Sequence, residues 1–125
     1  MKENNTTVMI VDDAAFMRDT LKNILADSSF EVVAEAADGV EAVEKYREVE
    51  PDVVTMDITM PRLGGLEATE KILDINSKAV VIIVSAMGQK HLVIEAIDMG
   101  VADFIVKPFH KDKVLRIIEE ALQRY

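Results

Sequence analysis

The chain has 125 residues, half of them hydrophobic and 30% charged, which is the length and balance of one compact receptor-free domain spanning residues 1–125. Its 14 basic and 23 acidic side chains leave a net charge of −9, so the surface repels polyanions and excludes nucleic acid and anionic lipid as main partners. There is no Cys, which removes disulfides, thiolate metal sites and cysteine nucleophiles; with no apolar leader and no aliphatic run longer than Ala79 to Val84, the expectation is a cytoplasmic monomer without membrane contact.

Apolar runs of strand length alternate with segments of helical period five times along the chain. That alternation predicts an α/β fold, a parallel sheet with helices on both faces. The first strand is Val8 to Val11, followed by a helix with Met17, Leu21, Ile24 and Leu25 on one stripe, which Asp27-Ser28-Ser29 breaks. A second strand runs near Phe30 to Ala36. Asp38 with Glu41 three residues on reads as a capping box, opening a helix that carries Val40, Val43, Tyr46 and Val49 and closes at Pro51. Val53 to Met56 is the third strand, then a loop from Asp57 to Gly65 and a helix with Leu66, Ala68, Thr69, Ile72 and Ile75 turned inward. Ala79 to Val84, apolar without alternation, is a strand buried on both faces. A helix from about Gln89 to Met99 stops at Gly100 as its C′ residue, a short strand covers Phe104 to Val106, and a last helix carries Val114, Leu115, Ile117, Ile118, Ala121 and Leu122.

In open parallel sheets, ligands bind beyond the carboxyl ends of the strands where strand order reverses. Asp12 and Asp13 follow the first strand, Asp57 the third, Ser85 the fourth and Lys107 the fifth. If the order is 2-1-3-4-5, the first and third strands are neighbours about 4.8 Å apart and the three carboxylates share one pocket. Like charges about 4 Å apart repel by roughly 4 kcal/mol at an intermediate dielectric, so the cluster needs a counter-ion or protons. Oxygen ligands without His or Cys point to Mg²⁺. Three Asp and one Lys sum to a formal −2, which a divalent cation cancels, leaving the metal, Lys107 and the Ser85 hydroxyl to surround a phosphoryl group. Asp57 is then the nucleophile that forms an aspartyl-phosphate. The residue before a proline is restricted, which anchors Lys107, and a cis bond to Pro108 is allowed.

Val11-Asp12-Asp13, Met56 to Pro61, Ser85-Ala86 and Phe104 to Phe109 resemble the motifs of response-regulator receiver domains of two-component signalling, in particular the stand-alone chemotaxis members outside the enteric bacteria. The resemblance covers essentially the whole chain and implies the flavodoxin-like (βα)5 order 2-1-3-4-5. It also implies that Asp57 accepts phosphate from a chemotaxis histidine kinase, that Asp12, Asp13 and Asp57 hold Mg²⁺, that Lys107 contacts the phosphoryl group, and that Ser85 and Phe104 form a switch pair. With no output domain in these residues, the signal is expected to leave by protein contact, to a flagellar switch protein or an archaeal-type adaptor, with a chemotaxis phosphatase as a further partner. A receiver in a non-chemotaxis phosphorelay is the alternative. Ser85 stands where Thr is common, and Phe104 where many chemotaxis members have Tyr, so a readout through a phenolic hydroxyl is excluded.

Plainer readings stand beside these. Asp13 has the place of a helix N-cap, Phe104 reads physically as core, Met9, Met17 and Met56 as packing, and His91 and His110 as solvent-exposed. A small flavin binder shares the architecture, but Asp12-Asp13 would present two negative charges to its phosphate. A phosphatase acting on other substrates would need a specificity loop that 125 residues do not display.

Overall fold

A computed structural model describes residues 5–124. Its elements are β1 (Thr6–Val11), α1 (Ala15–Ala26), β2 (Phe30–Ala36), α2 (Gly39–Val49), β3 (Val53–Asp57), α3 (Gly65–Ile75), β4 (Val80–Ser85), α4 (Lys90–Met99), β5 (Asp103–Val106) and α5 (Lys111–Arg124). The five strands are parallel in the order β2-β1-β3-β4-β5. The flavodoxin-like expectation holds. Two carboxyl ends of strands differ from the sequence reading: Asp57 and Ser85 are the last residues of β3 and β4 rather than the first loop residues, so both inherit the rigidity of the ladder.

The pleat sorts strand residues between two cores. Met9, Val11, Val54, Met56, Val81 and Ile83 pack under α2, α3 and α4, whereas Val8, Ile10, Val53, Val80, Ile82 and Ile105 pack under α1 and α5. Every residue of β3 and β4 is buried, which is why their sequences lack polar alternation.

Local chemistry sets the helix ends. Asp38 accepts from the Glu41 amide at 2.8 Å, and the Glu41 carboxylate accepts from the Ala37 amide at 2.7 Å, one residue outside the N-cap. Gly100 caps α4 with φ 115°, a backbone region that glycine enters without a Cβ penalty. Asp13, however, is not the N-cap of α1. Ala14 holds that position, and the Ala14 amide donates to Asp12 Oδ1 at 2.9 Å.

Some expected core positions lie elsewhere. Val40, Val43, Tyr46 and Val49 are spaced by three, and each such step falls about 60° short of a full turn, so the stripe rotates away from the sheet. Val43 and Tyr46 are buried and Val49 is exposed. Ile75 is also exposed, at the last turn of α3, while Ala68, Thr69 and Ile72 are buried. Met9 and Met56 are core; Met17 is only half-buried.

Candidate functional site

The carboxyl ends of β1 and β3 lie side by side, with Val11 opposite Met56, and the next residue of each chain segment is an aspartate. One carboxylate oxygen from each of Asp12, Asp13 and Asp57 lies within 4.8 Å of the others. Asp12 and Asp57 are buried, and Asp13 is exposed. The Lys107 ammonium enters from the end of β5 and lies 3.4 Å from both Asp12 Oδ2 and Asp57 Oδ1.

Register explains the convergence. Asp12, Asp57 and Lys107 continue the strand positions of Ile10, Thr55 and Ile105, two residues earlier, so the alternation turns all three toward the α1 and α5 side. Ser85 and Phe104 have the other parity: Ser85 lies opposite Val106, and Phe104 opposite Ile83 in the core under α4. Ser85 is buried, but Phe104 is 37% exposed. The expectation that Phe104 is plain core is therefore corrected, because β5 is the edge strand and α4 leaves that part of it uncovered.

Burial, and after it the adjacent Asp12 carboxylate, push the Asp57 carboxyl from 3.8 up to about 6, while Lys107 pulls the other way. One ammonium does not balance three carboxylates. The donor set is all oxygen, its atoms are close enough for one small ion, and its excess negative charge is what a hard divalent cation offsets.

Three supporting groups had no role in the sequence reading. The Arg18 guanidinium donates to the Asp12 carbonyl at 2.7 Å and to Glu35 Oε1 at 3.1 Å, fixing the turn that carries the two aspartates. Gly65 starts α3 directly behind Asp57: a Cβ there would lie 2.0 Å from the Asp57 carbonyl oxygen, and the Gly65 amide donates to the Ile58 carbonyl at 2.7 Å. Gln89 bridges two loops, as described below. Only Gly65, within the Gly64-Gly65 pair before an apolar helix, carried a local signal of close approach. The Lys107–Pro108 bond is cis, as the sequence allowed, and the Lys107 amide donates to the Ser85 carbonyl at 2.8 Å.

The response regulator receiver domain family model matches residues 8–119. The chain belongs to that family. A chemotaxis protein CheY of Listeria monocytogenes is 58% identical over 114 residues, 91% of this chain and 96% of that protein. CheY of Thermotoga maritima is 53% identical, covering 90% of this chain and 94% of that one. Among solved structures, a CheX–CheY–BeF3–Mg complex from Borrelia burgdorferi aligns with TM-score 0.87 and 39% identity, covering 91% of this chain and 87% of that chain. The response regulator domain of Thermotoga maritima CheB aligns with TM-score 0.86 and 40% identity, covering 94% and 96%. This receiver is a phosphorylation-activated chemotaxis response regulator, and a role in another phosphorelay is not favoured. Receiver domains bind Mg²⁺ at an aspartate cluster, and Asp12, Asp13 and Asp57 form such a cluster. No helix among the described residues is long and apolar enough to cross a membrane.

Proposed function

We propose that the whole chain, residues 1–125, works as one receiver unit in which Asp57 is the phosphoacceptor. The observation that carries this is the buried Asp57 carboxylate at the end of β3, 3.4 Å from the Lys107 ammonium and grouped with Asp12 and Asp13. An Asp57 oxygen attacks the phosphorus of a phosphohistidine on a chemotaxis histidine kinase; the P–N bond breaks as the P–O bond forms, and the imidazole leaves with a proton. Asp12, Asp13 and Asp57 would hold Mg²⁺, which when bound supplies positive charge to the phosphoryl oxygens. Lys107 is already within reach of Asp57 and offers a second positive group to the same oxygens, and Asp12 keeps it there. Chemistry of this kind is positioning and charge neutralisation rather than proton shuttling.

The Ser85 hydroxyl, one ladder step beyond the residue paired with Asp57, moves onto the phosphoryl group, and Phe104 turns into the space this opens, altering the outer face of α4, β5 and α5. That face meets the downstream protein, a flagellar switch component or an archaeal-type adaptor. The Borrelia complex holds CheX beside CheY, which supports a further chemotaxis partner for this chain; the family resemblance makes that partner a chemotaxis phosphatase. The chain itself catalyses uptake of the phosphoryl group and its slow hydrolysis, and acts as a switch.

The test is intact mass after incubation with acetyl phosphate and Mg²⁺. One phosphoryl addition is expected for the native chain and none for Asp57→Ala. An unmodified native chain overturns the proposal.

A further inference from the structure

The loop after β4 is tied to the loop after β3 by one side chain. Gln89 Oε1 accepts from the Ala86 amide at 2.7 Å, and Gln89 Nε2 donates to Thr59 Oγ1 at 3.0 Å. An amide N–H only donates, so it fixes the carboxamide oxygen toward Ala86 and leaves the NH₂ for Thr59. Ala86 follows the switch hydroxyl Ser85, and Thr59 lies two residues beyond Asp57. The bridge thus joins the two segments whose spacing sets where a phosphoryl group on Asp57 meets Ser85.

The rest of that loop is open to solvent. Ala86, Met87 and Gly88 are exposed, and Gly88 has φ 90° with no atom within 4 Å of a Cβ built on it. Neither bond of the bridge has slack, because a displacement of either loop by about 1 Å takes one of them beyond hydrogen-bond length.

We propose that Gln89 is a positioning residue for the switch: its carboxamide latches the β4 loop to the β3 loop in the unphosphorylated chain and lets go when Ser85 shifts onto the phosphoryl group. This rests on the phosphotransfer reading above. The latch stabilises the resting arrangement alone, so its removal favours the phosphorylated one. Losing exposed hydrogen bonds of this kind shifts such a balance by about threefold.

Calorimetric titration with beryllofluoride in saturating Mg²⁺ tests it, using the full chain. Gln89→Ala, Gln89→Met and Thr59→Val are each expected to bind beryllofluoride about threefold more tightly, with Mg²⁺ affinity measured alone unchanged. The double variant Thr59→Val with Gln89→Met should add less than the two singles combined, because both break one bridge. Gln89→Met keeps the length of the side chain, so an effect shared with Gln89→Ala belongs to the lost hydrogen bonds and not to lost bulk. Unchanged or weaker beryllofluoride affinity in the variants overturns the latch while leaving the phosphotransfer reading intact. A native chain that takes up no beryllofluoride overturns both.

Discussion

At the rim of the sheet, Asp12, Asp57 and Ser85 are almost withdrawn from water; on the outer face of α4 and β5, Ile94, Ile97 and Phe104 are 50%, 48% and 37% exposed. The rim carries charge that the protein does not balance from its own residues, and the face carries apolar surface that it does not cover. The first deficit is electrostatic and calls for a small cation, because like carboxylates in a low-dielectric pocket repel strongly. The second is hydrophobic, and exposed apolar side chains on a helix and an edge strand are the kind of surface that a partner can cover. Ser85 and Phe104 lie on one parity of neighbouring strands, two ladder steps apart, so the two regions are joined along one face of β4 and β5.

The comparison breaks most completely if the backing of the rim is disturbed. Gly65→Ala would place a methyl group 2.0 Å from the Asp57 carbonyl oxygen, and α3 must retreat from the site. A loss of more than about 3 kcal/mol in urea unfolding is expected, with phosphoryl uptake greatly reduced. Wild-type stability in this variant would show that the close approach of α3 does not define the rim.

Charge at the rim is tested by Asp57→Asn. Burial and the Asp12 carboxylate hold the Asp57 carboxyl up at about 6, which destabilises the folded chain above that pH. The sign follows from proton uptake: between about pH 4 and 6 the folded state holds a proton that the unfolded chain has lost. The penalty is therefore absent below pH 4 and complete above pH 6. In EDTA, Asp57→Asn should be more stable than the native chain at pH 7.5, and this advantage should fade as pH falls through 6 toward 4. Saturating Mg²⁺ should reverse the order at pH 7.5, because only the native set keeps all three carboxylates. An advantage that persists at pH 4 would mean that charge is not the cause.

The outer face gives the smallest change in the isolated chain. Ile97→Asp replaces a side chain already 48% exposed, so stability should move by no more than about 0.5 kcal/mol and phosphoryl uptake should be unchanged. Binding of the phosphorylated chain to its downstream chemotaxis partner should fall at least tenfold. Undiminished binding would remove this face from the contact.

The strand and helix alternation, the Asp38 cap and the Gly100 stop were legible because each depends on neighbours within a few residues. Asp12, Asp57, Ser85 and Lys107 were legible as a group for a different reason: every strand of a parallel sheet points its carboxyl end to one rim, so polar residues after strands converge. Residue chemistry alone set the Ser85 hydroxyl beside an incoming phosphoryl group; the resemblance to receiver domains added the expectation that Ser85 and Phe104 act as a switch pair.

Other features were decided only when the elements packed. Val49 follows a spacing that looks apolar on paper yet turns away from the sheet, and Phe104 is exposed because β5 ends the sheet where α4 leaves it bare. The Arg18 hold on the Asp12 carbonyl, the seat of Gly65 behind Asp57, and the Gln89 bridge join residues 6, 8 and 30 positions apart. Sequence sets which groups each segment can offer, through short-range periodicity and capping. Which of those groups meet depends on distances across strands and loops, and these are fixed only when the two cores close on the sheet.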